Sequence, residues 1–201
     1  MLPDTQQHES TGQVIVAGIP GSGSTYVWQV VKDMHDGQTQ KTHDYIDVPD
    51  ECPVLVTTRD PAASIVSACR RHFHYDRGPT TDEVRSILPM FVYWQAVALR
   101  YAARPRTIVL RYEDVWSNTF AILDALLRLG IVADSSETRE RFKASLQRRS
   151  LEANRAIASK VVGGYDAVSM LHANHIHDGT PDGWRSVVTP DVETFLNSMR
   201  A

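Results

Sequence analysis

Val14-Ile15-Val16-Ala17-Gly18-Ile19-Pro20-Gly21-Ser22-Gly23-Ser24-Thr25-Tyr26 is the stretch on which the fold turns. Its first four residues are a continuous apolar run rich in β-branched side chains. That pattern suits a strand buried on both faces, not one with a face in water. A turn of small residues follows from Gly18 to Thr25, and Tyr26 to Met34 then reads as a helix with Val27, Val30, Val31 and Met34 on one side. The turn has the frame of the phosphate loop, G-x-x-x-x-G-K-[ST], with Ser24 where the lysine belongs. A strand that enters a helix through small residues leaves successive backbone N–H groups facing one concavity, at the positive end of the helix. Phosphate oxygens fit there, and the hydroxyls of Ser22, Ser24 and Thr25 can add donors.

Outward from this turn, strands and helices alternate. Pro53 to Thr58 is a second buried-strand pattern, stopped by Arg59-Asp60-Pro61, with Pro61 placed to open a helix from Ala62 to His72. A long helical pattern runs from Asp82 to Tyr101, with Val84, Ile87, Leu88, Phe91, Val92, Gln95 and Ala98 at three/four spacing. Pro89 is expected to kink it or divide it in two. Thr107 to Arg111 is a third strand, Phe120 to Leu129 an amphipathic helix ending at Gly130, and Ser136 to Arg149 a charged, water-facing helix. Ser159 to Val188 reads as irregular, and Thr189-Pro190 opens a last short helix. The alternation predicts an α/β fold, a three-layer sandwich with a central parallel sheet. Residues 1–12 read as a flexible tail and 13–201 as one domain.

Composition narrows the function classes. The 201 residues are 42% hydrophobic and 22% charged, enough for a core and incompatible with wholesale disorder. No apolar run approaches the ~18 residues of a membrane span, and the polar first residues show no signal peptide. A net charge of −3 argues against a general nucleic-acid binder. Cys52 and Cys69 form no metal or redox pattern, so a reduced, cytoplasmic protein is expected.

Three segments together resemble the sulfotransferases that use 3′-phosphoadenosine-5′-phosphosulfate (PAPS). Pro20-Gly21-Ser22-Gly23-Ser24-Thr25-Tyr26 is similar to the family's 5′-phosphosulfate loop, usually P-K-S-G-T-T-W. The match implies that Gly21, Ser22, Gly23, Ser24 and Thr25 hold the phosphosulfate and that Tyr26 stacks on the adenine. Arg59-Asp60-Pro61-Ala62-Ala63-Ser64-Ile65-Val66-Ser67 resembles the 3′-phosphate motif, in which an arginine ending a strand and a serine eight residues on, here Arg59 and Ser67, bind that phosphate. Lys41-Thr42-His43 is similar to the short strand whose histidine takes the acceptor's proton. Gly179-Thr180-Pro181-Asp182-Gly183-Trp184-Arg185 resembles the late loop that closes over the nucleotide, though the usual R-K-G entry is His177-Asp178-Gly179 here. By that match Gly179, Trp184 and Arg185 join the nucleotide site. Arg111-Tyr112-Glu113-Asp114 resembles a later strand of the family and reads as architectural.

The resemblance implies a soluble enzyme that moves a sulfuryl group from PAPS to a hydroxyl or amine of a small-molecule or saccharide acceptor. It implies no metal, no membrane or nucleic-acid partner, and a possible homodimer. His43 is the expected base, since a neutral imidazole is available near pH 7, and Lys41, two residues along an extended segment, points to the same side. One departure matters: the family's loop lysine, which contacts the leaving oxygen, is Gly21. Lys41, Lys32 and Arg185 are the candidates to replace it. Two alternatives follow, a P-loop small-molecule kinase, with Asp60 as its metal carboxylate, or a catalytically weak nucleotide-binding module. Arg70-Arg71-His72-Phe73-His74-Tyr75 reads as a solvated basic helix end, with an acceptor-facing patch as its alternative. His172, His175 and His177 suggest a mobile loop over the site more than a metal centre.

Overall fold

The structure, a computed structural model, describes residues 12–73, 77–162, 164–172 and 179–199. The expected tail, apart from Gly12, lies outside these residues, as do His74, Tyr75, His175, His177 and Asp178.

The opening apolar run forms β1 (Gln13–Gly18), and helix α1 (Ser24–Met34) begins two residues earlier than Tyr26. Then come β2 (Gln38–Thr42), β3 (Val54–Thr58), α2 (Pro61–His72), α3 (Thr81–Ala102) and β4 (Thr107–Arg111). All four strands are parallel, in the order β2-β1-β3-β4. Helices α4 (Tyr112–Ser117), α5 (Phe120–Arg128), α6 (Ser136–Arg148) and α7 (Leu151–Ala158) follow, then a two-stranded antiparallel hairpin, β5 (Tyr165–Asp166) and β6 (Leu171–His172). A 3-10 turn at Gly183–Val187 and α8 (Pro190–Ser198) complete the described chain.

The predicted layering holds. On one face of the sheet Ile15, Ala17, Val54 and Val56 pack against α2, α3 and α8. On the other, Val14, Val16, Leu55 and Leu110 meet α1, α5 and Phe142 of α6. The alternation of β1 and β3 side chains between two apolar faces is why both strands read as unbroken apolar runs.

Four local readings needed correction. Of the two outcomes expected of Pro89, a kink or a division, division is overturned: the long helix runs unbroken past it. A Thr80–Glu83 capping box fixes its start, and the buried stripe Val84, Ile87, Phe91, Trp94, Val97, Ala98 and Tyr101 locks its length to the core. That packing offsets the ~3 kcal/mol cost of an interior proline. Within the segment read as irregular, the chain forms the hairpin and the 3-10 turn. Arg111-Tyr112-Glu113-Asp114 leaves the strand at once and becomes helix α4, and Ser150 caps the unforeseen α7 by accepting from the Ala153 amide. Strand β2, legible only through the Lys41-Thr42-His43 resemblance, is a polar edge strand whose Gln-Thr-Gln-Lys-Thr sequence carries no apolar signal.

The strand order places the site. From β1 the chain crosses to β2 on one side and then to β3 on the other, so the carboxyl ends of β1 and β3 flank a switch point, where open α/β sheets leave a crevice. No helix among the described residues is long and apolar enough to cross a membrane.

Candidate active site

A cavity of about 750 Å³ opens at that switch point, a size suited to a nucleotide-scale ligand. Its floor is the Gly-rich turn. Gly21 and Gly23 both take positive φ, +82° and +79°, a conformation nearly reserved for glycine. Gly23 stands at the N-cap of α1, and the first intrahelical bond runs from the Val27 amide to the Gly23 carbonyl at 3.1 Å. The amides of Ser24, Thr25 and Tyr26 therefore precede the helix's own hydrogen bonds and face its mouth. No acidic side chain occupies that first turn, so the positive helix end is left for a ligand.

The loop's hydroxyls divide into two kinds. Ser22 is buried, and both its groups turn inward. Its amide donates to the Ile19 carbonyl at 3.0 Å, its hydroxyl reaches the same oxygen at 2.6 Å, and Thr57 Oγ1 lies 2.7 Å away. Ser22 thus holds the loop's shape, a different task from the ligand contact expected of it. Ser24 and Thr25 line the cavity at the start of α1.

Gly21 is closed in by helix α2. A Cβ there would lie 2.7 Å from both Cβ and Oγ of Ser67, so the space a lysine would need is taken by the serine that the sequence pairs with Arg59. Arg59, one residue past β3, does more than face a ligand. Its Nη1 donates to the Gly21 carbonyl at 3.0 Å, and its Nη2 donates to the carbonyls of Thr180 and Pro181 at 2.9 and 3.2 Å. Its guanidinium carbon sits 4.2 Å from the centre of the Tyr112 ring. Asp60, offered as a metal carboxylate under the kinase alternative, caps α2 instead, accepting from the Ala63 amide at 3.0 Å.

Opposite Arg59, the edge strand supplies Lys41 and His43. The Nδ1 of His43 donates to the Gly18 carbonyl at 2.5 Å, which leaves Nε2 unprotonated, and the Lys41 ammonium donates to that nitrogen at 3.3 Å. Burial, with the Lys41 charge next, pushes the His43 imidazole down to about 4. Burial also pushes Lys41 down to about 8, with the charge of Arg71 adding to it. The pair is one neutral base beside one cation with a loosened proton.

Twelve of the thirteen residues singled out in the sequence, Gly21, Ser22, Gly23, Ser24, Thr25, Tyr26, Lys41, His43, Arg59, Ser67, Gly179 and Trp184, line this one cavity. Arg185 does not. It pairs with Glu193 and Asp182 and lies over the Trp184 ring, directed toward α8. Lys32, also weighed as a substitute for the loop lysine, stacks on Trp28 away from the cavity, which leaves Lys41 alone among the three. Tyr26 is half-buried against the α1 core, and burial pushes its phenol up to about 12.

The cavity also contains residues that pattern reading placed elsewhere. Tyr112, read as architectural, faces it, donates its hydroxyl to the Gly179 carbonyl and packs against Gly23. Its position directly after a strand's carboxyl end was the available signal. Arg70 and Arg71, read as solvated, line the wall with Val66 and Ser67; the signal was helical spacing, three and four residues after Ser67. Arg149, Ser150 and Asn154 enter from the α6–α7 junction, which no motif marks.

No protein-family model matches this chain, and no curated protein matches its sequence. Among solved structures the fold does have counterparts. Mouse sulfotransferase SULT7A1 complexed with PAP superimposes with a TM-score of 0.65 at 15% identity, covering 93% of this chain and 82% of that one. Retinol dehydratase, in complex with androsterone and the inactive cofactor PAP, does so with a TM-score of 0.65 at 12% identity, covering 93% and 79%. The chain has the sulfotransferase fold, as the first two motifs led one to expect.

Proposed function

We propose that this chain is a PAPS-dependent sulfotransferase acting on a hydroxyl or amine of a small-molecule or saccharide acceptor. One observation carries the reading: the phosphate-type loop, the Arg59–Ser67 pair and the Lys41–His43 pair surround a single cavity at the carboxyl edge of the sheet. That both solved counterparts were determined with PAP, adenosine 3′,5′-bisphosphate, is consistent with it.

The geometry supports a set of roles. The α1 amides would bear the 5′-phosphate charge, and Arg59 with Ser67 would take the 3′-phosphate. PAPS supplies a sulfuryl group on a good leaving phosphate. His43 Nε2 would accept the acceptor's proton while the freed oxygen bonds to sulfur and the bond from sulfur to the 5′-phosphate oxygen breaks, leaving adenosine 3′,5′-bisphosphate. Lys41, able to swing from Nε2 to an equatorial sulfuryl oxygen, is the cation nearest the developing charge, and in this reading it does the work of the lysine absent at Gly21.

Isothermal calorimetry with adenosine 3′,5′-bisphosphate against ATP–magnesium tests the assignment. Binding of the bisphosphate that collapses in Arg59→Ala is the expected result; binding of ATP–magnesium alone would transfer the chain to the kinases. The catalytically weak module keeps one specific observation in its favour, the Ser67 side chain filling the space beside Gly21. Bisphosphate binding with no turnover on any acceptor would select it.

A further inference from the structure

The wall of the cavity beside His43 has a charge problem that the reaction alone does not need. Helix α2 presents Ala63, Val66, Ser67, Arg70 and Arg71 to the cavity. Ser67 touches the loop at Gly21, and Arg71 is one turn, ~5.4 Å of helix, further on. That step carries the guanidinium past the phosphate loop to the base. Arg71, Lys41, His43 and His172 line the same cavity, and after burial the Arg71 charge adds to the lowering of all three. Among the described residues no carboxylate acts on Lys41, only burial and then the charge of Arg71. Among the described residues Arg71 makes no ion pair. No carboxylate among the described residues lines the cavity beside these two partly buried cations, and Asp44, which acts on His43, stands on exposed chain next to it, so an anionic ligand would stabilise the arrangement.

The nucleotide does not account for both. In the reading above its 3′-phosphate goes to Arg59 and Ser67, its 5′-phosphate to the α1 amides, and its sulfuryl group to Lys41. Arg71 is left over, on the side where the acceptor must enter beside His43. Val66, Met170 and Leu171 also line the cavity and supply apolar surface.

We propose that the acceptor carries an anionic group beside its reacting hydroxyl, and that Arg71 seats this group while Lys41 and His43 meet the hydroxyl. The proposal rests on the sulfotransferase reading and deepens it: the acceptor is a hydroxylated carboxylate, phosphate or sulfate ester with an apolar body, and Arg71 sets specificity without touching the reacting atoms.

The test separates the two levels. Calorimetry of the full chain with adenosine 3′,5′-bisphosphate comes first, and failure there sinks the sulfotransferase reading. With the bisphosphate saturating, charge-matched pairs are then titrated: 4-hydroxybenzoate against 4-hydroxybenzamide, and glucuronate against glucuronamide. The carboxylate of at least one pair is expected to bind about 10–100-fold more tightly than its amide, the range for one charged hydrogen-bonded pair. Arg71→Gln should erase the difference while leaving the bisphosphate affinity in place and the melting temperature no lower, and Arg71→Lys should keep part of it. With PAPS present, Arg71→Gln should raise KM for the carboxylate and spare kcat. Equal binding of carboxylate and amide, no binding by any of the four probes, or an equal loss for both members in Arg71→Gln would overturn the proposal. So would loss of the bisphosphate in both Arg71 variants, since that would assign Arg71 to the nucleotide.

Discussion

The two ends of the cavity are built from different materials. The end formed by Gly21 to Tyr26 is backbone: amides at a helix mouth, two left-handed glycines, and a serine that bonds inward. The end formed by Lys41, His43 and Arg71 is side chain, drawn from an edge strand and the last turns of a helix, with burial and like charge depressing Lys41 and His43 alike. A backbone site keeps its shape whatever the solvent does. A side-chain site is tunable and answers to pH and to single substitutions.

Substitutions at the two ends should therefore differ in kind. The largest effect is expected at the side-chain end: His43→Gln should lower kcat by about 10²–10⁴-fold, the usual worth of a general base, with bisphosphate affinity within a factor of two or so. Turnover and calorimetry on one preparation would check both; a matching loss of affinity would mean that His43 holds the nucleotide. Arg59→Ala comes next. It removes three hydrogen bonds from the loops and the contact with Tyr112, and bisphosphate affinity should fall about 100-fold. At the backbone end, Gly21→Ala should cost about 1–2 kcal/mol for the left-handed conformation alone, with the Ser67 contact at 2.7 Å adding to it. Urea denaturation would read that loss, and an unchanged midpoint would show that the loop has another conformation.

The smallest effect is a slope. Unfolded, His43 titrates near 6.5; folded, near about 4. Between those values the unfolded chain holds a proton that the folded chain lacks, so stability should fall as pH drops from 6.5 toward 4 and level off below. Lys41, at about 8 folded against 10.5 unfolded, acts in the same sense at higher pH, and stability should rise from pH 8 to 10.5. In His43→Gln the urea midpoint should lose the acid part of this slope and keep the alkaline part.

The same division explains what could be read from sequence. Val14 to Tyr26 states strand, turn and helix in thirteen consecutive residues, because a backbone site is local. Arg59 and Ser67 were legible for a related reason: strand end and helix face fix their spacing. Arg71 was legible only as the alternative reading, an acceptor-facing patch at helical spacing from Ser67, since two arginines at a helix end look alike whether they meet water or a cavity. Tyr112 was missed because its partners, Arg59 and Gly179, lie far off in sequence. Arg185 failed in the opposite way: its motif lies where the resemblance put it, but Glu193 on α8 attracts the side chain outward.

The all-parallel sheet has a consequence for how the molecule comes together. No two of its strands are joined by a tight turn, so each pairing requires a chain closure. The shortest joins Gln13 to Gln38; the pairing of Ile15 with Val54 is longer, and that of Val54 with Thr107 longer still. Closure entropy therefore favours β1, α1 and β2 as the first unit to assemble, and that unit carries the phosphate-type loop, Lys41 and His43. Arg59, Ser67 and Arg71 arrive only when β3 docks. An early folding intermediate would hold the loop, Lys41 and His43 without Arg59, Arg70 or Arg71, which line the wall.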